Sequence, residues 1–458
     1  MLIFHLGAMG GTDGMHAGIW NASSDINRSG SQGGPIALFN LTQHGEADTL
    51  VLSPFSHFMA TSLYQRNKTL EPALEYGVMG SISTIPANYM QSFIVFYSPH
   101  GINEGIREWG ELMQRAFNRT NEHRLSDVAV NYLGYYTNNG GYYYYNTEPG
   151  KNYEQTMIDV AQSLKFPYHY VQLDSWWYIK GVKGGVSEWT ALPDVFPDGL
   201  VELNRRLNNI PMAAHNRWWA YDTVYKQKYA FALDLANSKA LPYSNDTFWL
   251  DLFVDARKWG LVSYVQDWLT PQTRDFLPTR TDMDLGRRWL ISMGAGADQV
   301  GINIQYCMSL PRHLLQALEI PRVTHARASD DYAVSLEDQH QSNWNIGITS
   351  MYINALGIAP FKDVLWTVNV QPGSPYGASA LERVPDRAIL IATLSTGPVA
   401  VGDGINFTNV QRVMRCCRSD GLILKPDRPL TTINELIADW AANDNVPQGE
   451  LYSTTTTM

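Results

Sequence analysis

From about residue 128 onward, short apolar runs of strand length recur, with helix-patterned segments between most of them. This rhythm narrows the possible folds of the 458-residue chain more than any other feature. The runs are AVNYLGYY (129–136), YHYVQLD (168–174), IPMAAHN (210–216), GLVSYVQD (260–267), VGINIQY (300–306), RVTHARAS (322–329), FKDVLWT (361–367) and GPVAVGD (397–403). One intervening segment, GLVELNRRL, sets Leu200, Leu203 and Leu207 at helical spacing. Eight strands alternating with helices predict an α/β fold of the (β/α)8 barrel type, in which crossover helices cover the outer face of a parallel sheet. An open doubly wound sheet is the alternative. It would carry a glycine-rich phosphate loop after a strand, and none of these runs is followed by one.

Residues 1–126 read differently. Glycine-rich turns (GAMGGTDG, SGSQGG) separate β-rich runs such as DTLVLSPF and YMQSFIVFYS, and an amphipathic segment, GINEGIREWGELMQRAF, follows. The expected organisation is a β-rich N-terminal domain over 1–126, a catalytic barrel over 127–440 and a polar tail over 441–458. Hydrophobic residues are 45% of the chain, enough for a large core, and no stretch is apolar for the roughly 18 residues of a membrane span. The net charge of −10 would repel a phosphate backbone, which argues against a nucleic-acid partner and favours neutral substrates. Cys307, Cys416 and Cys417 form neither a disulfide framework nor a metal-site spacing, and no His/Cys/Asp group has ligand spacing, so no metal or cofactor is expected. Sequons at Asn21, Asn27, Asn40, Asn67, Asn118, Asn245 and Asn406 lean towards a secretory route. The opening MLIFHLGAMGG, however, has neither the basic start nor the long apolar run of a signal peptide. A chain lacking its true N-terminus would reconcile the two. Nothing in the sequence sets an oligomeric state.

A barrel enzyme works at the C-terminal ends of its strands. There the second run ends in Asp174 and SWW, the third in HNRWW, and the fourth in Gln266, Asp267 and Trp268. The sixth ends in Arg327 to Asp331 and the eighth in Asp403. Side chains alternate along a strand, so Val265 shares a face with Asp267, and Arg327 with Ser329 and Asp331, leaving Asp330 to cap the next segment. Asp267 and Asp331 can then face each other across the mouth. Cleavage of a glycosidic bond needs such a pair: one carboxylate ionised to attack, one carboxyl protonated to release the leaving oxygen, about 5–5.5 Å apart in retaining enzymes. Trp177 and Trp268 are candidate walls for a sugar ring.

RASDDY resembles the sixth-strand signature of the raffinose-synthase and alkaline α-galactosidase group within glycoside hydrolase clan D. YCMS (306–309), GPVAVGD, SDGLILKPDRP (419–429), LGYYTNNGGYY and YVQLDSWW are also similar to that group, so the resemblance covers roughly 128–430. It implies a barrel enzyme with a covalent glycosyl intermediate. The clan's R-x-x-x-D motif falls on Arg327 and Asp331, making Asp331 the acid/base. Its K-x-D slot is VQD here, making Asp267 the nucleophile. Asp174 matches the first carboxylate of a second-strand DD pair that holds sugar hydroxyls, and Trp177 the tryptophan after it. Two positions depart from the pattern: the lysine is Val265 and the second aspartate is Ser175. Each loses a partner for a sugar hydroxyl, which costs about 1–3 kcal/mol and puts galactose in question as the preferred sugar. Asn216, Arg217 and Trp218 are the residues placed to supply replacement contacts. The group also carries a β-rich domain after its barrel, so here that domain is absent or the chain is a fragment.

The expectation is therefore a retaining, α-galactosidase-like glycosidase with a carbohydrate substrate. The alternatives are a transglycosylase of the raffinose-synthase type, a carbohydrate-binding relative without turnover, and an unrelated barrel isomerase or lyase using one aspartate as base.

Overall fold

The computed structural model describes the chain apart from residues 6–8, 10–15, 21–31, 42–46, 67–72, 244–246, 333–335, 373–379, 444–445, 447–448 and 458. The sequons at Asn21, Asn27, Asn67 and Asn245 and much of the glycine-rich turns lie outside the described residues.

All eight expected strands form, in one parallel sheet. They are β1 (Gly134–Tyr136), β2 (Tyr170–Leu173), β3 (Met212–Asn216), β4 (Leu261–Gln266), β5 (Asn303–Tyr306), β6 (Val323–Arg327), β7 (Ala359–Phe361) and β8 (Ala400–Val401). Neighbours pair in chain order from β1 to β7, and β8 pairs with β1. Closure between β7 and β8 rests on one bridge, Leu365 to Val401. Its hydrogen bonds run from Leu365 N–H to the Ala400 carbonyl (3.1 Å) and from Gly402 N–H to the Leu365 carbonyl (3.1 Å). The barrel interior is closed by side chains from alternate strand positions, among them Tyr136, Tyr170, Ala213, Val265, Cys307, Phe361 and Ala400.

The seventh strand departs from expectation. FKDVLWT was read as the strand, but the ladder covers Ala359–Phe361 and ends where that run begins. Lys362 and Asp363 then leave the ladder: Lys362 Nζ donates to the Val364 carbonyl (3.3 Å), and Asp363 finds hydrogen-bond donors at the mouth that a strand lined with apolar side chains would deny it.

Ahead of the barrel, a five-stranded antiparallel sheet is ordered His16–Ile19, Leu2–His5, Ile36–Leu41, Ala47–Pro54, Phe93–Ser98. Thr61–Arg66 and Ala73–Val78 pair as a separate hairpin. The amphipathic segment forms helix Ile102–Ala116, with Ile102, Ile106, Trp109 and Met113 on its buried face. This helix is wedged between that sheet and helix Leu336–Ala355 of the barrel. Trp109 stacks on Tyr352 with ring centroids 5.7 Å apart. Gly110 sits so close to the second helix that a β-carbon there would lie 2.6 Å from the Ala355 β-carbon. Only hydrogen fits at that crossing. Arg312, fully buried, donates to the carbonyls of Met59 (2.6 Å) and Thr61 (3.1 Å) and so ties the barrel to the first domain.

The segments after β2 and β3 are not simple loops. They contribute Tyr178–Lys180, Val186–Ala191, Trp219–Ala220, Phe231–Asp234 and Lys239–Pro242 to a second five-stranded sheet beside the mouth. At the far end, Tyr452–Ser453 returns to pair with Thr431–Thr432, so part of the polar tail is laid back on the body of the protein.

Candidate active site

Asp267 follows β4 and turns into the mouth. Its backbone N–H donates to the Asn216 carbonyl on β3 (2.9 Å), which extends the β3–β4 register one residue past the ladder. The next residue, Trp268, has φ 57°, in the left-handed region that a non-glycine side chain enters at a cost of about 1–3 kcal/mol. Within that turn the Trp268 N–H donates to Asp267 Oδ1 (2.7 Å). The other oxygen, Oδ2, lies 3.0 Å from His215 Nε2. His215 is on β3, opposite Val265 in the register, so it projects into the barrel beside the place where the clan lysine would stand.

A chain of donors leads to this carboxylate. Arg217 Nε–H donates to the Tyr178 hydroxyl (3.1 Å), which lies 3.1 Å from His215 Nδ1. Asp267 can only accept, so the His215 contact places a proton on Nε2. The Tyr178 hydroxyl, already accepting from Arg217, has its own proton free for Nδ1. With 15% of its side chain exposed, Asp267 is largely desolvated, and burial alone would raise its pKa. The His215 hydrogen bond, the Arg327 charge and the Trp268 N–H outweigh burial, so the carboxyl titrates below its ordinary value.

Arg327, at the end of β6 and nearly buried, joins the other carboxylates. Its Nη1 donates to Asp331 Oδ1 and lies 3.7 Å from Asp363 Oδ2. The expected grouping of Arg327 with Asp331 is therefore present, but through a turn, since the strand ends at Arg327. The Asp331 side chain is 62% exposed, open to a ligand in the mouth. Asp330 is also exposed, and its Oδ1 accepts from the Asp331 N–H (2.9 Å).

Asp363 was not among the expected residues. It is buried and accepts from Asn138 Nδ2 (2.7 Å), Asn139 Nδ2 (3.2 Å) and the Tyr332 N–H (2.8 Å). Burial raises its pKa, Arg327 opposes that rise, and Asp331 adds to it. Its position braces Arg327 from below while Asp331 takes the outer side. The signal for it was the Lys-Asp pair interrupting an otherwise apolar run. Beneath, Gln305 Oε1 accepts from His325 Nε2 (3.0 Å) and Gln305 Nε2 donates to Cys307 Sγ (3.2 Å), filling the barrel axis with paired polar groups.

The remaining expected residues divide. Asp174 lies half-buried at the end of β2, its Oδ1 accepting from the Ser175 N–H (2.6 Å), and the Arg217 guanidinium is drawn by both Asp174 and Asp267. Trp218 and Trp268 are half-buried and meet edge to face at 4.9 Å, with the Arg217 guanidinium 5.2 and 5.6 Å from their rings. These side chains do gather at the mouth. Trp177 does not. It is fully buried, packed edge-on against Tyr178 (5.3 Å), Trp189 (5.1 Å) and Trp259 (5.9 Å), so it is core and not a wall of the site. Asn216 is also turned away: it alternates with His215, points outward and donates to the Tyr264 hydroxyl (2.5 Å). His215 takes the inward position that Asn216 was expected to hold. Among the described residues, no group of three or more His, Cys, Asp or Glu side chains is arranged to hold a metal ion.

No family model and no curated protein matches this sequence. Solved structures do match in three dimensions. A GH36 alpha-galactosidase from Geobacillus stearothermophilus in complex with stachyose superposes with a TM-score of 0.57 at 13% identity, over 90% of this chain and 59% of that one. The alpha-galactosidase from Lactobacillus brevis gives 0.55 at 12% identity, over 89% and 57%. The alpha-N-acetylgalactosaminidase from Bifidobacterium bifidum gives 0.52 at 11%, over 90% and 72%. The chain thus spans under two thirds of the length of the two alpha-galactosidases. At these identities the likeness is one of fold, and the chain is built on the fold of these enzymes, a (β/α)8 barrel accompanied by a β-rich N-terminal domain.

Proposed function

We propose that this chain is a retaining α-glycosidase of the α-galactosidase-like kind, cleaving glycosidic bonds of oligosaccharides or glycoconjugates by double displacement. The observation that carries the reading is the Asp267 carboxylate, nearly buried yet held ionised by His215, Arg327 and the Trp268 N–H. In the first step an Asp267 oxygen bonds to the anomeric carbon as the glycosidic C–O bond breaks, and Asp331 gives its proton to the leaving oxygen. In the second step Asp331 takes a proton from water, whose oxygen displaces Asp267 and returns the carboxylate. Arg327, bonded to Asp331, keeps that carboxyl in place through both steps.

Asp174 and Arg217 are the side chains placed to hold sugar hydroxyls, and Trp218 and Trp268 the faces on which a ring can lie. Those faces also suit a second sugar, which favours transfer to an acceptor as the competing outcome of the same glycosyl intermediate. Hydrolysis of a panel of aryl α-glycosides (galactoside, glucoside, N-acetylgalactosaminide) and the β-L-arabinoside, with Asp267→Ala alongside, tests the proposal. Turnover of one member, lowered about 10⁴-fold or more in the variant and partly restored by azide as an external nucleophile, is the expected result. Sugar binding that persists without turnover of any member, with or without an acceptor sugar, would replace it with a binding protein.

A further inference from the structure

A cavity of about 500 Å³ opens at the opposite end of the barrel, beneath the N-terminal ends of the strands. Its wall comes from helix Ile102–Ala116, helix Glu122–Ser126 and the segment 425–428. Four cationic side chains line it, and they are not equivalent. Arg107 pairs with Glu104 (2.5 Å) and Glu111, and Arg428 pairs with Glu104 (2.8 Å). The remaining lining carboxylate, Asp427, accepts from the Thr457 N–H (2.5 Å).

Among the described residues, no carboxylate forms an ion pair with Arg124 or Lys425. Among the described residues Arg124 makes one hydrogen bond, to Asn354 Oδ1 at 3.3 Å, which leaves most of its five N–H donors unused. Lys425 Nζ donates to the Val130 carbonyl (2.8 Å) and to Asn131 Oδ1 (3.2 Å), both neutral. A third cation, Arg119, lies behind them and, among the described residues, its side chain donates to the carbonyls of Ala317, Ile320 (3.2 Å) and Val323 (2.7 Å). Asp127, whose charge acts on Lys425, is buried and turned to Thr324 (2.6 Å), the Ala129 N–H (2.9 Å) and His325 (3.5 Å).

Half-buried cations set close together with no carboxylate paired to them among the described residues are costly, and burial disfavours their charged forms. Burial pushes Arg124 down to about 10, and burial with the Arg124 charge pushes Lys425 down to about 8. This concentration of positive charge sits in a protein whose net charge is −10.

We propose that this cavity binds a phosphate-type dianion, free or as the monoester of a small metabolite, with the Arg124 guanidinium forked on two of its oxygens and Lys425 as the second charge. Two cations match a dianion, and the unused Arg124 donors match its tetrahedral oxygens. The volume accommodates a phosphorylated small molecule rather than a bare ion alone. The site shares no residue with the mouth and stands whether or not the glycosidase reading does.

The test is thermal unfolding and titration calorimetry of the full chain at pH 7 and constant ionic strength. Inorganic phosphate, glycerol phosphate and chloride are the probes, and the wild type is compared with Arg124→Gln and Lys425→Met. The expected result is a saturable rise in Tm with both phosphates and none with chloride, and affinity weakened at least about tenfold in each variant. Tighter binding of the ester assigns a monoester ligand; equal binding assigns the free ion. Absence of any phosphate-specific rise, or an undiminished rise in folded Arg124→Gln, overturns the proposal. Arg124→Gln removes one long hydrogen bond, so its fold, checked by circular dichroism, is expected to survive even where Lys425→Met does not.

Discussion

Replacing His215 by leucine removes the donor that holds Asp267 Oδ2 at 3.0 Å while filling much the same volume. A hydrogen bond to a charged group is worth about 1.5–3 kcal/mol, and 15% exposure of the carboxylate leaves little solvent to take the donor's place. The loss falls on the ionised form alone. Burial, until now outweighed, then gains ground, and the carboxyl titrates at higher pH than in the wild type. In the pH profile of kcat/KM the acidic limb therefore moves up. At a pH on that limb the variant keeps roughly a tenth or less of the wild-type value, and the two curves approach each other on the neutral plateau. Stability carries the same sign. A carboxyl whose folded pKa is depressed adds stability above its unfolded pKa of about 3.9, and that stability disappears as pH falls through the folded pKa. The leucine variant is thus most destabilised at neutral pH, and the difference closes under acid, apart from a pH-independent part from the Tyr178 hydroxyl left without its acceptor. His215→Gln, whose amide can donate to the same oxygen, is expected to restore the limb. An acidic limb in His215→Leu that superimposes on the wild-type limb would refute the role given to this histidine.

Asp331→Asn is expected to slow aryl glycosides with poor leaving groups by about 10²–10⁴-fold and to spare the first step for dinitrophenyl glycosides, whereas Asp330→Asn leaves both within a few-fold. Single-turnover kinetics with the two leaving groups separates them, and the reverse pattern would exchange the two aspartates. Trp177→Phe, in the aromatic core, should lower unfolding free energy in urea by about 1–3 kcal/mol and leave KM for any substrate unchanged. Gly110→Ala improves intrinsic helix preference by about 1 kcal/mol, yet a β-carbon 2.6 Å from that of Ala355 forces the two helices apart. Denaturant unfolding should show a net loss of about 1–3 kcal/mol.

The barrel was legible because a parallel strand buried on both faces must be apolar along its length, and such runs stand out against amphipathic helices. The same rule misplaced β7. FKDVLWT is as apolar at its end as the true ladder Ala359–Phe361, and nothing local says where the hydrogen bonds stop. Face alternation placed Asp267 with Val265 because both belong to one continuous strand direction. It could not place Trp177, since the chain leaves the strand at Leu173 and the direction of each later side chain is set by packing against Trp189 and Trp259. His215 and Asp363 escaped notice for another reason. Their importance lies in what they touch across strands, His215 to Asp267 and Asp363 to Arg327, and neither contact has a signature within its own run. The second sheet beside the mouth depends on pairing between segments after β2 and β3, which local pattern does not register.

Seven joints of the barrel are ladders, and the eighth, between β7 and β8, is the single Leu365–Val401 bridge. Mechanically the ring is a clamp with a latch rather than a hoop. The residues on either side of the latch are not idle: Asp363 precedes it and holds Arg327, while Asp403 follows it and accepts from the Thr367 N–H (2.9 Å) and Gln371 Nε2 (2.6 Å). Springing the latch would loosen Arg327, which steadies Asp331 and whose charge helps hold Asp267 ionised, while the hydrogen bonds to Asp267 from His215 and the Trp268 N–H, on the far side of the ring, would stay in place. Asp331 thus depends on the latch through its arginine, and Asp267 only in part.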